Sequence, residues 1–180
     1  MRKEHGMTAA PNLPLGPLTL QDVTALAEAD DRHRFELSEG NLIVMPPGTL
    51  GHQRISGRLY IWLDGKFGER AFAAPGVKTS DNDRNGRIPD LVVTKGDVKL
   101  DDVWLAAADV LLAVEIVSPG SERTDRWLKP REYADAGIAY FWRVEPDGTV
   151  LRFRLTGGAY AEVGRDPLDA LLAGEVPDLD

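Results

Sequence analysis

One ionisable side chain stands where the neighbouring sequence makes it costly to place, and together with two others its type suits phosphate chemistry. Glu115 interrupts VLLAVEIV, a continuous apolar run of the kind a strand buried on both faces requires. Alternation puts it on the face of Ala113 and Val117. An unpaired carboxylate there is expensive, so a cation, a donor network or a metal has to stand beside it. The plainer alternative is a carboxylate at the exposed end of the strand, paired with an arginine. Asp90 follows Pro89 and opens LVVT. Proline at a strand entrance fixes the approach and holds the next side chain at the sheet margin, although Pro-Asp is also a common turn. Two carboxylates at the ends of neighbouring strands can share a hard divalent cation. Magnesium in particular is held by one or two carboxylates together with water and substrate phosphate.

The third group is Lys129 in DRWLKPREYADAG, where Asp125, Lys129 and Tyr133 stand four apart and so share a helical face. Lysine can neutralise phosphate charge in a transition state, or orient and deprotonate a water. The alternative is a solvated Asp–Lys pair on a helix surface. Pro130 removes an amide donor, which a helix tolerates if it starts only a few residues earlier, near Thr124 or Asp125.

The elements that must position these groups can be read along the chain. Thr19 and Asp22 form a capping box ahead of a short helix with Val23, Leu26 and Ala27 on one face. FELSEGNLIVMPP alternates on both sides of Glu39-Gly40-Asn41, which predicts a β-hairpin ended by Pro46-Pro47. Ile55, Leu59, Trp62 and Leu63 predict an amphipathic helix over 51–67, closed by Gly65 or Gly68. AFAAPGVKT is a weak strand candidate, SDNDRNGR a polar loop, LVVTK a strand, and 97–109 a charged, Ala-rich connection. A helix over 124–136 ends at Gly137, and three strand runs follow with Asp147-Gly148 as the first turn. The tail, DPLDALLAGEVPDLD, is expected to be irregular or a short helix. This order gives a mixed β-sheet flanked by helices, α/β or α+β by class, with an N-terminal hairpin.

Composition bounds the function. The 180 residues, 43% apolar, suit one core: a loose leader over 1–17 and a single domain over 18–180. No apolar run is long enough to span a membrane. The chain has no cysteine, which excludes thiolate catalysis and Cys-rich zinc sites and fits a reducing cytoplasm. A net charge of −8 argues against non-specific binding to a phosphate backbone, although a carboxylate cluster itself makes a chain more acidic. No zinc finger, basic helix or aromatic platform reads bases.

Three segments carry a resemblance: FELSEGNLIVMPPGTLGHQRI, then IPDLVV, then LLAVEIVSPGSERTDRWLKPREYADAGIAYFWRVEP. Together they look like the Uma-two family, domain of unknown function 820, within the PD-(D/E)xK restriction-endonuclease-like superfamily. The resemblance runs from about residue 19 to about residue 150 and is more specific than any one piece. It implies a restriction-endonuclease-like core and a metal-dependent site that cleaves phosphodiesters, DNA rather than RNA. Asp90 and Glu115 match the two acidic positions and would be Mg2+ ligands, with Mn2+ as a substitute. The superfamily's usual lysine two positions after the acid is Val117 here, and Lys129 matches the lysine this family supplies from the next helix. Glu36 matches an acidic residue ahead of the core, able to bind a second metal or orient water. His52 matches a family position and is expected to be a satisfied helix-end histidine. Ser118 and Tyr133 are expected to hold neighbouring groups by hydrogen bonds. The resemblance also implies a homodimer, to which Trp127 or Phe141-Trp142 could contribute, with Trp142 better read as core. Two other readings stand beside the endonuclease: a nuclease fold kept as an inactive binding or assembly module, and a phosphohydrolase for small nucleotides.

Overall fold

In the computed structural model, which describes residues 16–30 and 32–179, the chain enters α1 (Leu20–Ala29) through the capping box that Thr19 and Asp22 encode. The Thr19 hydroxyl accepts from the Asp22 amide, and the Asp22 carboxylate accepts from the Thr19 amide at 2.8 Å. Of the expected leader over 1–17, only Gly16 and Pro17 lie among the described residues. Leu20 and Val23 then pack on Phe35 and Leu37. Thr19→Ala should cost about 1 kcal/mol and lower the melting temperature by about 2–4 °C. An unchanged melt would show that packing alone holds α1.

The expected hairpin is β1 (Arg34–Ser38) and β2 (Asn41–Met45), in register from Arg34 opposite Met45 to Ser38 opposite Asn41. Its two turn residues, Glu39 and Gly40, both have positive φ, 51° and 77°, as the tight turn between twisted strands demands. Glu39 tolerates this because its amide donates to Asn85 Oδ1 at 2.7 Å while the Gly40 amide donates to the Arg84 carbonyl. The loop 80–87 therefore braces the hairpin.

The expected mixed sheet is present as two. The hairpin belongs to a five-stranded sheet of order β2-β1-β5-β4-β7, with β4 (Gly76–Lys78), β5 (Gly86–Arg87) and β7 (Trp104–Ala106). The other sheet, of order β11-β10-β9-β8-β6-β3, contains β3 (Ala71–Ala73), β6 (Leu91–Thr94), β8 (Val110–Ile116), β9 (Tyr140–Val144), β10 (Thr149–Thr156) and β11 (Ala159–Pro167). Each sheet has one parallel pair, β4 with β7 and β8 with β9. Two expectations are corrected here. AFAAPGVKT is two strands rather than one, because Ala74 at φ 52° and Pro75 break the run and send its halves to different sheets. The connection over 97–109 holds strand β7.

Buried β8 runs mid-sheet between β6 and β9, as its continuous apolar run requires. Leu112, Val114 and Ile116 face α2 (Leu50–Phe67) through Leu59 and Leu63, with Trp142 in the same cluster. Ala113 faces the other way, toward Val92, Tyr133, Ile138 and Phe141. Glu115 shares the Ala113 face and so meets α3 (Lys129–Asp135). Gly68, not Gly65, closes α2. The tail forms α4 (Leu168–Ala173), which buries Leu168 and Leu171. Phe141 and Trp142 are core residues, while Trp127 is 71% exposed. Among the described residues, no helix is long and apolar enough to cross a membrane.

Candidate active site

Antiparallel pairing sets Leu91 opposite Val114 and Val92 opposite Ala113, so one further step brings Asp90 opposite Glu115. Directly opposed residues on antiparallel strands project to the same face. Asp90 is anchored by accepting the Ile116 backbone N–H on Oδ2 at 2.8 Å, which explains how a residue just outside β6 is held at the sheet margin. Its other oxygen, Oδ1, lies 3.1 Å from His52 Nε2 and 3.5 Å from an Arg34 guanidinium nitrogen. The structure thus places His52, in the first turn of α2, against Asp90 in the site. Thr49 supplies the cap of α2 by accepting the His52 amide, and this leaves the imidazole free to turn toward Asp90.

Lys129 reaches the same spot from the other side. Its ammonium lies 2.9 Å from Glu115 Oε2, 3.2 Å from Glu36 Oε1 and 3.3 Å from Asp125 Oδ1. Tyr133 donates its hydroxyl to Glu115 Oε1 at 2.6 Å, so both oxygens of Glu115 have a partner. The register from Asp125 through Lys129 to Tyr133 holds because a π-helical turn, Thr124–Leu128, precedes α3. Its wider ring carries the Lys129 amide to the Thr124 carbonyl and leaves Pro130 in the first turn of α3, where a missing N–H does no harm. Helical structure thus begins a few residues before the proline, as the sequence requires. Tyr133→Phe would leave Glu115 Oε1 buried without its donor. We expect a loss of about 1–3 kcal/mol in urea unfolding, and an unchanged midpoint would mean that the phenol contributes packing only.

Sequence reasoning missed a second layer. Arg87, fully buried, donates to Glu36 Oε2 at 3.1 Å and in a fork to both oxygens of Glu132 at 2.5 and 2.7 Å. The Ile88 amide donates to Glu36 Oε1 at 3.0 Å. Glu36 therefore has both oxygens engaged, and the network ties the hairpin sheet to α3. Ser121 donates to Asp125 Oδ2. Ser118 bonds Ser121 through its amide and hydroxyl, so it supports Asp125 at one remove and does not hold the central acids directly.

Burial and charge act against each other in this cluster. Burial pushes Glu115 well above the usual carboxylate range; Lys129 opposes that rise, and the charge of Asp90 adds to it. Burial likewise raises Asp125 despite Lys129 and Ser121. Burial would raise Glu36 too, but Lys129 and Arg87 together overcome it and hold the group low. For Lys129, burial favours the neutral amine, yet Glu115, Glu36 and Asp125 outweigh it and hold the ammonium above the usual lysine range. Lys129 is consequently a fixed positive charge. A base at neutral pH would need the opposite shift.

These groups open into a cavity of about 420 Å³ between the hairpin sheet, the start of α2 and the end of β8. Asp90, Glu115, Lys129, Glu36, Asp125, His52 and Ser118 all line it; Tyr133 lies behind them. Asp125 Oδ1 has no hydrogen-bond partner among the described residues; its 3.3 Å approach to Lys129 is an ion pair.

Two mixed sheets flanked by helices, with the acids at a cavity between them, define a restriction-endonuclease-like fold. A solved structure shares it: a protein from Anabaena variabilis ATCC 29413, described as "a putative nuclease belonging to DUF820", is similar with a TM-score of 0.64 and 20% identity, over 81% of this chain and 84% of that one. Residues 20–178 match the Uma2 family, described as "Putative restriction endonuclease", and the chain belongs to that family. A search of curated proteins gave no match.

Proposed function

We propose that this protein is a magnesium-dependent endonuclease that hydrolyses phosphodiester bonds, with DNA as its substrate. The observation that carries the reading is the meeting of Asp90, Glu115 and Lys129 at one cavity, with Asp90 just before β6, bonded to the Ile116 amide beside Glu115, and the lysine 2.9 Å from Glu115. The description of the family and that of the Anabaena protein support nucleic acid as the substrate class.

The donors suit a hard cation. Asp90 and Glu115 offer carboxylate oxygens, the ligands magnesium and manganese prefer. Among the described residues, no group of three or more His, Asp or Glu side chains is placed to hold a metal ion. When bound, the ion would supply Lewis-acid polarisation and offset phosphate charge. Lys129 would add a second positive charge beside the reacting phosphate, and the carboxylates that hold its ammonium favour charge stabilisation over proton removal. Glu36, with both oxygens taken by Arg87, Ile88 and Lys129, holds that lysine in place. Arg34, half-exposed beside Asp90, stands where an incoming phosphate would pass.

One observation favours the inactive-module reading: three protein carboxylates already surround Lys129. The two are separated by incubating the purified protein with single-stranded, duplex and branched DNA, RNA and free nucleotides. The endonuclease reading expects cleavage of DNA with magnesium or manganese and none with a chelator. No turnover on any nucleic acid with either metal would overturn it.

A further inference from the structure

The cavity has two unlike walls of lining residues. The acids and Lys129 form one, and Ile43, Met45, Pro46 and Pro47 of the β2–α2 segment form the other, with Ile43 and Met45 on the hairpin face that carries Glu36 and Arg34. A phosphodiester needs only the first wall. Duplex DNA keeps its bases stacked inside and presents its backbone outward, so a duplex resting on the acids would leave the second wall facing water. The cavity volume of about 420 Å³ lies in the range of pockets that enclose a small ligand, about 300–1,000 Å³. It is a concave space with an ionic end for a phosphate and an apolar end for a flat ring.

From these walls we propose that the site takes an unpaired nucleotide within a strand, its base lodged against the β2–α2 segment while its phosphate meets Asp90 and Glu115. The substrate class is then single-stranded, bulged or frayed DNA rather than continuous duplex. This rests on the endonuclease reading and narrows it. Enzymes that take a base out of the stack pay unpairing energy, which is least where the base is already unpaired. An apolar wall tolerates any base, which agrees with the lack of a base-reading element. The net charge of −8 acts in the same direction, since it weakens long contacts to a duplex backbone.

The test uses the full chain with calcium in place of magnesium, and three fluorescein-labelled DNAs: a single strand, a continuous duplex, and that duplex with one bulged 2-aminopurine. Anisotropy should show the single strand and the bulge bound at least about tenfold more tightly than the duplex, and 2-aminopurine emission should change on binding. Met45→Ser, which takes apolar surface off the lining opposite Arg34, should remove most of that preference. Its circular dichroism should stay unchanged. Equal binding of all three DNAs, a silent 2-aminopurine signal, or a Met45→Ser protein with full preference would each overturn the inference. So would a free nucleoside triphosphate that competes as well as the single strand. Cleavage in magnesium keeps the two claims apart: duplex cut as fast as single strand leaves the endonuclease standing without this pocket, whereas no cleavage and no binding of any DNA overturns both.

Discussion

Asp90→Asn and Glu115→Gln are each expected to lower magnesium-dependent cleavage by on the order of 10³-fold or more while the protein stays folded. Each replacement keeps shape and removes one negative oxygen from the pair that would hold the ion. Metal stabilisation of transition-state charge is worth several kcal/mol, and each 1.36 kcal/mol is about tenfold in rate. The fold should survive for different reasons at the two positions. The side-chain carbonyl of an asparagine at position 90 can still accept the Ile116 amide that Asp90 now binds. At position 115, a neutral amide avoids the desolvation that raises the carboxyl; its carbonyl oxygen can still accept from Lys129 while its NH2 donates to the Tyr133 hydroxyl, which now donates to Glu115. Circular dichroism and urea unfolding, run beside single-turnover cleavage, separate the effects. A Glu115→Gln protein that cleaves at wild-type rate would remove Glu115 from the chemistry.

Lys129→Met is expected to affect stability as well as activity. The substitution is close in volume and removes the one cation shared by Glu115, Glu36 and Asp125. Breaking a buried pair by deleting one partner costs about 3–5 kcal/mol, because the remaining charge is left uncompensated. Glu36 keeps Arg87, so the cost falls chiefly on Glu115 and Asp125. The loss should depend on pH with a definite sign. Without Lys129, burial alone raises both carboxyls above their unfolded values, and groups shifted upward contribute most at low pH and lose that contribution as pH rises through the folded pKa. The gap between wild type and variant in urea should therefore be widest near about pH 7 and narrow toward about pH 4. A gap that is constant with pH would mean that the methionine disturbs packing and that the ionic cluster is not what Lys129 compensates.

How far the site is legible beforehand differs from residue to residue. Glu115 announces itself because a carboxylate in a strand buried on both faces has few explanations, and β8 is such a strand. Lys129 and Tyr133 follow from helical spacing, and Pro130 signals that the turn before α3 is unusual. Arg87 gives no such sign. It sits in a run of Asp, Asn, Arg and Gly that looks like a solvated loop, and β5, only two residues long, is too short for any pattern. Its burial depends on Glu36 and Glu132, 51 and 45 residues away. The partner of His52, which only the resemblance singles out, is hidden for the same reason: Asp90 becomes its neighbour only once α2 crosses the strand ends. The division into two sheets turns on Ala74, whose positive φ has no marker beyond the proline that follows.

The central claim is that Asp90 and Glu115 grip one divalent ion. A crystal soaked in manganese and measured for anomalous scattering tests it most directly. The account predicts one strong peak within bonding distance of both carboxylates, with water completing the shell. A map with no peak there, or with manganese held only by acids elsewhere on the surface, would contradict it.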